Sequence, residues 1–145
     1  MAEPVKTLLL KAIENGIKTI TGINQVIRNP SKPIDRDTAN YDIAFVFDDR
    51  SEKTRRNRIA MNSFPLHIEI WIQGTSGQAI SDKADIYEAA IHAMLETDSA
   101  IKAKMMTLIE ESAEKFFVDE LLGGIILLSK VTYAHAWGDA YNAVR

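Results

Sequence analysis

One stretch constrains this chain more than any other. From Phe64 to Gln73 the residues Phe64, Leu66, Ile68, Ile70 and Ile72 alternate without a break with Pro65, His67, Glu69, Trp71 and Gln73. A β-strand turns successive side chains to opposite faces, so a period of two predicts a strand with one aliphatic face in a core and one polar and aromatic face turned away.

Such a strand needs partners and a cover. Ile43 to Phe47 is apolar and aromatic and predicts a buried strand. Ile125 to Trp137 is rich in β-branched and aromatic residues, with Lys130 and Thr132 on one face, and predicts a long one. Ile23 to Arg28 predicts a short strand closed by Pro30. The cover comes from two amphipathic helices. In the first, Val5, Leu8, Leu9, Ala12, Ile13 and Ile17 recur at helical spacing, Pro4 suits the first turn, and Lys6, Lys11 and Lys18 face away. In the second, Ala84, Tyr87, Ile91, Met94 and Leu95 form the apolar stripe. It follows a break at Gly74 to Gly77, with Ser81 the expected cap and Asp82 and Asp85 near the positive helix end.

Two segments read as loops: Asn29 to Asp42, without sustained period, and the charged run Asp48 to Arg58, a loop or hairpin arm. Ile101 to Asp119 has two readings. Ile101, Met105, Leu108, Ile109, Ser112 and Phe116 fit helical spacing, but if the segment pairs with the next strand across Gly123 and Gly124, Ala113 to Asp119 is extended and an antiparallel hairpin closes the sheet. No repeat or linker divides the 145 residues, and a 46% hydrophobic content suffices for one core, so residues 1–145 read as one domain.

A formal net charge of −3 gives no global attraction to a polyanion. The absence of cysteine excludes disulfides, thiolate nucleophiles and zinc sites with sulfur ligands, and fits a reducing compartment. Glu3, Lys6 and Lys11 interrupt the N-terminal apolar residues, so no secretory signal is expected. The longest apolar stretch, Leu121 to Leu128, contains two glycines and falls far short of the roughly 20 residues of a membrane span, so a soluble chain with no membrane partner is expected.

Enzymatic chemistry finds little footing. His67 and Glu69 share a strand face, but the His-x-Glu pattern of zinc deaminases needs downstream cysteines that this chain lacks, and a polar strand face at a subunit contact explains the pair. His92 lies four residues after Glu88, the spacing of an exposed helical ion pair. His135 sits near the chain end with no nucleophile nearby in sequence. Gly74, Thr75, Ser76 and Gly77 resemble a serine-hydrolase elbow only superficially. They follow a strand, whereas the Gly-x-x-Gly of a KH domain joins two helices, and a plain turn is the simpler reading. No phosphate-binding Gly-x-x-x-x-Gly-Lys motif is present. No enzyme, cofactor or metal is therefore expected.

The conspicuous local feature is a basic cluster, Arg50, Lys53, Arg55, Arg56 and Arg58, diluted by Asp48, Asp49 and Glu52. It is a solvated hairpin tip or a partner-binding arm for an acidic protein surface or DNA phosphates. His67, Glu69 and Trp71 on the strand face, with Trp137 and Tyr141 near the chain end, are the candidate subunit interface, since aromatic residues beside polar ones suit contacts between proteins.

At Leu66, His67, Ile68, Glu69 and Ile70, followed by a glycine-containing turn and the Asp82 to Glu96 helix, the chain resembles the lambda tail terminator family of phage proteins. The resemblance continues through Leu95, Thr97 and Asp98 and, past a variable segment, into Leu127 to Tyr133, where Val131, Thr132 and Tyr133 look like the family's last strand. It spans nearly the whole chain in order and spacing, and the N-terminal half in outline. It implies an α+β fold, a mostly antiparallel or mixed β-sheet with two main helices packed on one face, to which the charged run Asp48 to Arg58, matching no motif of the family, adds a long hairpin arm; it also favours a strand before Gly123. It further implies a non-catalytic virion protein, assembled in the host cytoplasm and placed at the head-proximal end of the tail. There a six-fold ring of this chain would meet the tail tube protein on one side and a neck or connector protein on the other, with DNA passing through its lumen. Another neck component, or a small nucleic-acid-binding domain, are the alternatives.

Overall fold

The computed structural model describes residues 3–30, 40–48 and 51–144, and of Arg56 only the backbone. The described residues form α1 (Val5–Lys18), β1 (Gln25–Arg28), β2 (Ile43–Phe47), β3 (Glu52–Arg56), β4 (Ile59–Gln73), α2 (Gly77–Thr97), α3 (Ser99–Lys102), β5 (Thr107–Phe117), β6 (Leu122–Ala136) and β7 (Ala143–Val144). The fold is α+β.

Two 15-residue strands make the spine: β4 and β6 pair antiparallel from Ile59↔Ala136 to Gln73↔Leu122. At about 3.3 Å per residue each runs roughly 50 Å. The outer edge of β4 is shared by two partners, β2 opposite His67 to Trp71 and β3 opposite Ile59 to Ser63. The outer edge of β6 is likewise shared, by β5 from Gly123 to Thr132 and by β7 at Ala134 and His135. β1 extends the sheet beyond β2 as its parallel pair.

The alternation in β4 sets the layers. Leu66, Ile68, Ile70 and Ile72 are essentially inaccessible and join one cluster with Leu9, Ile13 and Ile17 of α1 and Ile80, Ala84, Tyr87, Ile91 and Leu95 of α2. Burying a side chain of this size contributes about 1.5–3 kcal/mol, so this one layer carries most of the drive to fold. The other face of the sheet carries neither helix.

Several details differ from expectation. The cap of α2 is Ser76, whose hydroxyl accepts from the Ala79 amide at 3.1 Å; Ser81 lies inside the helix and accepts from the Lys115 ammonium at 2.8 Å. The segment before Gly123 is the strand β5, preceded by the single turn α3. Gly123 and Gly124 do not form the hairpin turn. They lie inside β6, and the turn is residues 118–121, closed by Val118 and Asp119 amides donating to the Leu122 carbonyl at 2.9 and 3.1 Å. A side chain at Gly124 would overlap the Ile70 carbonyl and the Phe116 ring, so glycine there is required by close packing. Within the Asp48 to Arg58 run, Glu52–Arg56 pairs with the start of β4 as an arm, a β3–β4 hairpin whose two-residue loop begins at Asn57 with φ 56°. Asparagine tolerates that left-handed conformation better than other side chains except glycine. Of the long loop expected between Asn29 and Asp42, residues 31–39 lie outside the described residues.

Candidate interaction surfaces

Three places on this frame gather polar or aromatic side chains, and the frame explains each. The first is the root of the sheet, where β2 begins and β4 ends. Asp42 is buried there, and its carboxylate accepts from the Gln73 amide at 2.9 Å and from the Tyr87 hydroxyl, with the Lys83 ammonium at 3.6 Å. Burial, the hydrogen bond to Asp42 and that residue's negative charge together push the Tyr87 hydroxyl far above the usual tyrosine range. This group ties β2, β4 and α2 together. Sequence reading missed it, because a single aspartate at the end of a polar loop carries no distinguishing signal.

The second is the helix-free face of the sheet. Three of the expected interface residues meet here: the Trp71 indole donates to Glu69 at 2.6 Å, and the other Glu69 oxygen lies 3.3 Å from His67 Nε2. That last approach falls off hydrogen-bond direction, so the buried His67 nitrogen has an ionic neighbour in Glu69 but no hydrogen-bond partner among the described residues. Cross-strand register brings the Phe47 ring 5.0 Å from His67 and the Phe116 ring 5.2 Å from Trp71, across Gly124. With half-buried Ile126 and 37%-exposed Leu128 on β6, these side chains form a mixed aromatic and aliphatic surface around one histidine–carboxylate pair.

The third is a cavity of about 510 Å³ at the opposite end of the sheet, on the helix-bearing face beyond the helices. Register places it there: Lys53 is opposite Asn62, and Arg55 is opposite Ala60, which on its other side pairs with His135. The Arg55 guanidinium stacks 3.7 Å above the Trp137 ring, whose amide is anchored to the Arg58 carbonyl at 2.6 Å. Asn62 is 2% exposed, and its amide nitrogen has no acceptor among the described residues. Neither Lys53 nor Arg55 has a carboxylate partner among them either. Asp139, which follows the cavity's Gly138 in the chain, is instead engaged locally, its pKa lowered by hydrogen bonds from Asn142 and the Tyr141 amide. The cavity therefore presents two cations without a carboxylate partner among the described residues, and an aromatic ring. Asn62 was missed by sequence reading, although continuing the β4 alternation backwards from Phe64 would have flagged an amide at a core-facing position.

The basic cluster is thus only partly one site. Lys53 and Arg55 line the cavity, Arg58 is in the hairpin loop, the Arg56 side chain is not described, and Arg50 lies outside the described residues. The residues expected to form one interface lie in two places, because Trp137 and Tyr141, 56% and 51% exposed, lie at the arm end, away from His67, Glu69 and Trp71. His92 does not pair with Glu88; its ring lies 3.6 Å from Glu110 on β5. His135 contacts its neighbour's carbonyl and the Tyr133 ring. Among the described residues, no group of three or more histidine, aspartate or glutamate side chains is gathered as for a metal ion, and no helix is long and apolar enough to cross a membrane. No model of a known protein family matches the chain, and no curated protein matches it in sequence.

Proposed function

We propose that this chain is a phage tail terminator: a structural subunit whose ring caps the finished tail tube, stops its growth and offers the surface to which the head is joined. The observation that carries the reading is the helix-free face of the sheet. Its Phe47, His67, Trp71, Ile126 and Leu128 side chains form a surface with an aromatic and aliphatic centre and an internal polar pair, the composition of a protein contact. The α+β fold, a mixed sheet with helices, is consistent with the fold class that the tail terminator resemblance implies.

The physical logic is one of end surfaces. A tube built of like rings presents the same unsatisfied surface after every addition, so growth ends only when something different occupies it. A ring that matches the tube on one side and differs on the other stops addition and creates the head-binding surface in one step. The expected result of deleting this chain is tails of uncontrolled, excessive length beside full, unjoined heads, measured as a length distribution in electron micrographs against a complemented control. Unjoined heads with tails of normal length would assign a neck or connector role instead, and normal infectious particles would reject both.

A further inference from the structure

The two ends of the β6 strand carry complementary chemistry. At its Ala136 end is the cavity with the Trp137 ring, Lys53 and Arg55 without a carboxylate partner, and the Asn62 amide without an acceptor, all among the described residues. At its Leu122 end the β5–β6 turn projects into solvent with the opposite character: Phe117, Val118 and Leu121 are 55%, 44% and 56% exposed, and they enclose exposed Asp119 and Glu120. We infer that this turn is the natural occupant of the cavity on a second copy of the chain, so that copies join head to tail, each offering its turn to the next and receiving one at its arm.

Four observations favour this occupant. Charge is matched, since Glu120 of the turn would meet cations that have no carboxylate partner among the described residues, and a charge-assisted bond to a buried amide is stronger than a neutral one. Apolar character is matched as well: three large apolar side chains stand in water at the tip, and the cavity offers Ala60 and the Trp137 ring. A volume of about 510 Å³ falls within the usual range, about 300–1,000 Å³, of pockets that take a ligand. The faces also agree. Phe117 pairs with Gly123, which pairs with Ile72, so Phe117 points to the helix-bearing side, and the cavity opens on that side too. Neighbours need not be inverted relative to one another. Duplex DNA fits less well, because phosphates call for a row of cations, whereas here two exposed cations share one short site and the Arg55 guanidinium is already stacked on Trp137 beside apolar wall residues.

A contact between two different patches of one chain is heterologous, and a repeated heterologous contact closes into a ring or runs on as a filament. The inference therefore deepens the ring part of the proposed function and rests on that reading, while its contact can be tested alone. The chain has no cysteine, so every disulfide in a variant is a designed one. Leu121 and His135 lie 14 residues apart along the turn and β6, roughly 45 Å in an extended strand, too far to bridge within one chain. Mild oxidation of the Leu121→Cys, His135→Cys double variant, both purified and on assembled tails, is expected to give a ladder of linked oligomers. Adding Arg55→Glu should abolish the ladder, and adding Glu120→Arg to that should restore it. No ladder in either setting, or one indifferent to Arg55→Glu, overturns the contact. So does a dimer formed by Leu121→Cys alone, which would mean a tip-to-tip contact, and so does salt-sensitive DNA binding lost with Arg55→Glu in a protein that gives no ladder. The two readings fail separately: a charge-sensitive ladder beside tails of normal length keeps the contact and discards the terminator, and overlong tails without a ladder do the reverse.

Discussion

The two ends of the β4–β6 ribbon are built from the same pair of strands and do different work. At the root, where Gln73 pairs with Leu122, α2 starts over the sheet, Asp42 gathers β2, β4 and α2, and glycines let Ile80 and Phe116 press against the strands. At the arm, where Ile59 pairs with Ala136, α1 only begins, its Val5 amide donating to the Ala140 carbonyl at 2.8 Å, and beyond it the same sheet face opens on a cavity lined by cations. The difference teaches where stability and recognition are kept apart. The root is closed by contacts that cost much to lose. The arm keeps its backbone pairing and leaves Lys53, Arg55 and Trp137 exposed.

The sharpest way to break the comparison is at Gly124. A branched side chain there must displace the Ile70 carbonyl and the Phe116 ring, and backbone in the middle of a sheet does not yield. Gly124→Val is expected to lower stability by more than about 4 kcal/mol, or to prevent folding, as read by chemical denaturation. A loss below about 1 kcal/mol would mean that the root is as tolerant as the arm.

How much of this was legible follows the same division. Strands β2, β4 and β6 and both long helices announce themselves because each has a face in the core, and burial imposes periodicity on sequence. β5 does not. It is an edge strand, exposed along nearly all its length, and charged residues such as Glu110, Glu111 and Glu114 suit an edge that must not recruit further strands. A bulge at Glu111 also shifts its phase: Leu108 faces the helices opposite Val131, whereas Phe116 faces away opposite Gly124. That slip broke the period of two and left Leu108, Ser112 and Phe116 at a false helical spacing. At the candidate sites, residue types were legible and groupings were not. Nothing in the chain order says that Lys53, Asn62 and Trp137 meet, or that His67 and Trp137 occupy different surfaces, because strand register decides both.

The root can be probed more gently through Tyr87. Removing its hydroxyl leaves Asp42 with the Gln73 amide and the nearby Lys83 ammonium, so Tyr87→Phe is expected to cost about 1–3 kcal/mol at neutral pH. The pH dependence follows from the direction of the shift. The folded state holds the Tyr87 proton more tightly than the unfolded chain, whose tyrosines titrate near 10, so the stabilisation is complete below about pH 10 and is lost as pH rises further. Tyr133, raised by burial and by the Asp48 charge, adds to the same slope. Denaturation curves from pH 8 to 11 should show the parent losing stability more steeply than Tyr87→Phe; parallel curves would remove Tyr87 from the root's lock.

The smallest effect on stability is expected at the arm, and there the comparison is tested from the other side. Arg55 contributes a stacking contact on Trp137 worth about 0.5–1 kcal/mol at an exposed site, and Arg58 contributes its carbonyl to the Trp137 amide, a bond that any residue at that position retains. Neither guanidinium supports the buried cluster of the helices and β4. Arg55→Ser with Arg58→Ser should therefore lower the unfolding free energy by less than about 1 kcal/mol and leave the alkaline profile of the root unchanged. Attachment is a separate matter: with the cavity's guanidinium gone, an acidic partner segment loses its strongest charge-assisted bonds. Joining of tails to heads in a complementation assay should fall sharply while the purified protein melts almost where the parent does. Were the variant to unfold several degrees earlier yet join tails normally, the arm would be part of the fold's support and the division between the two ends would not stand.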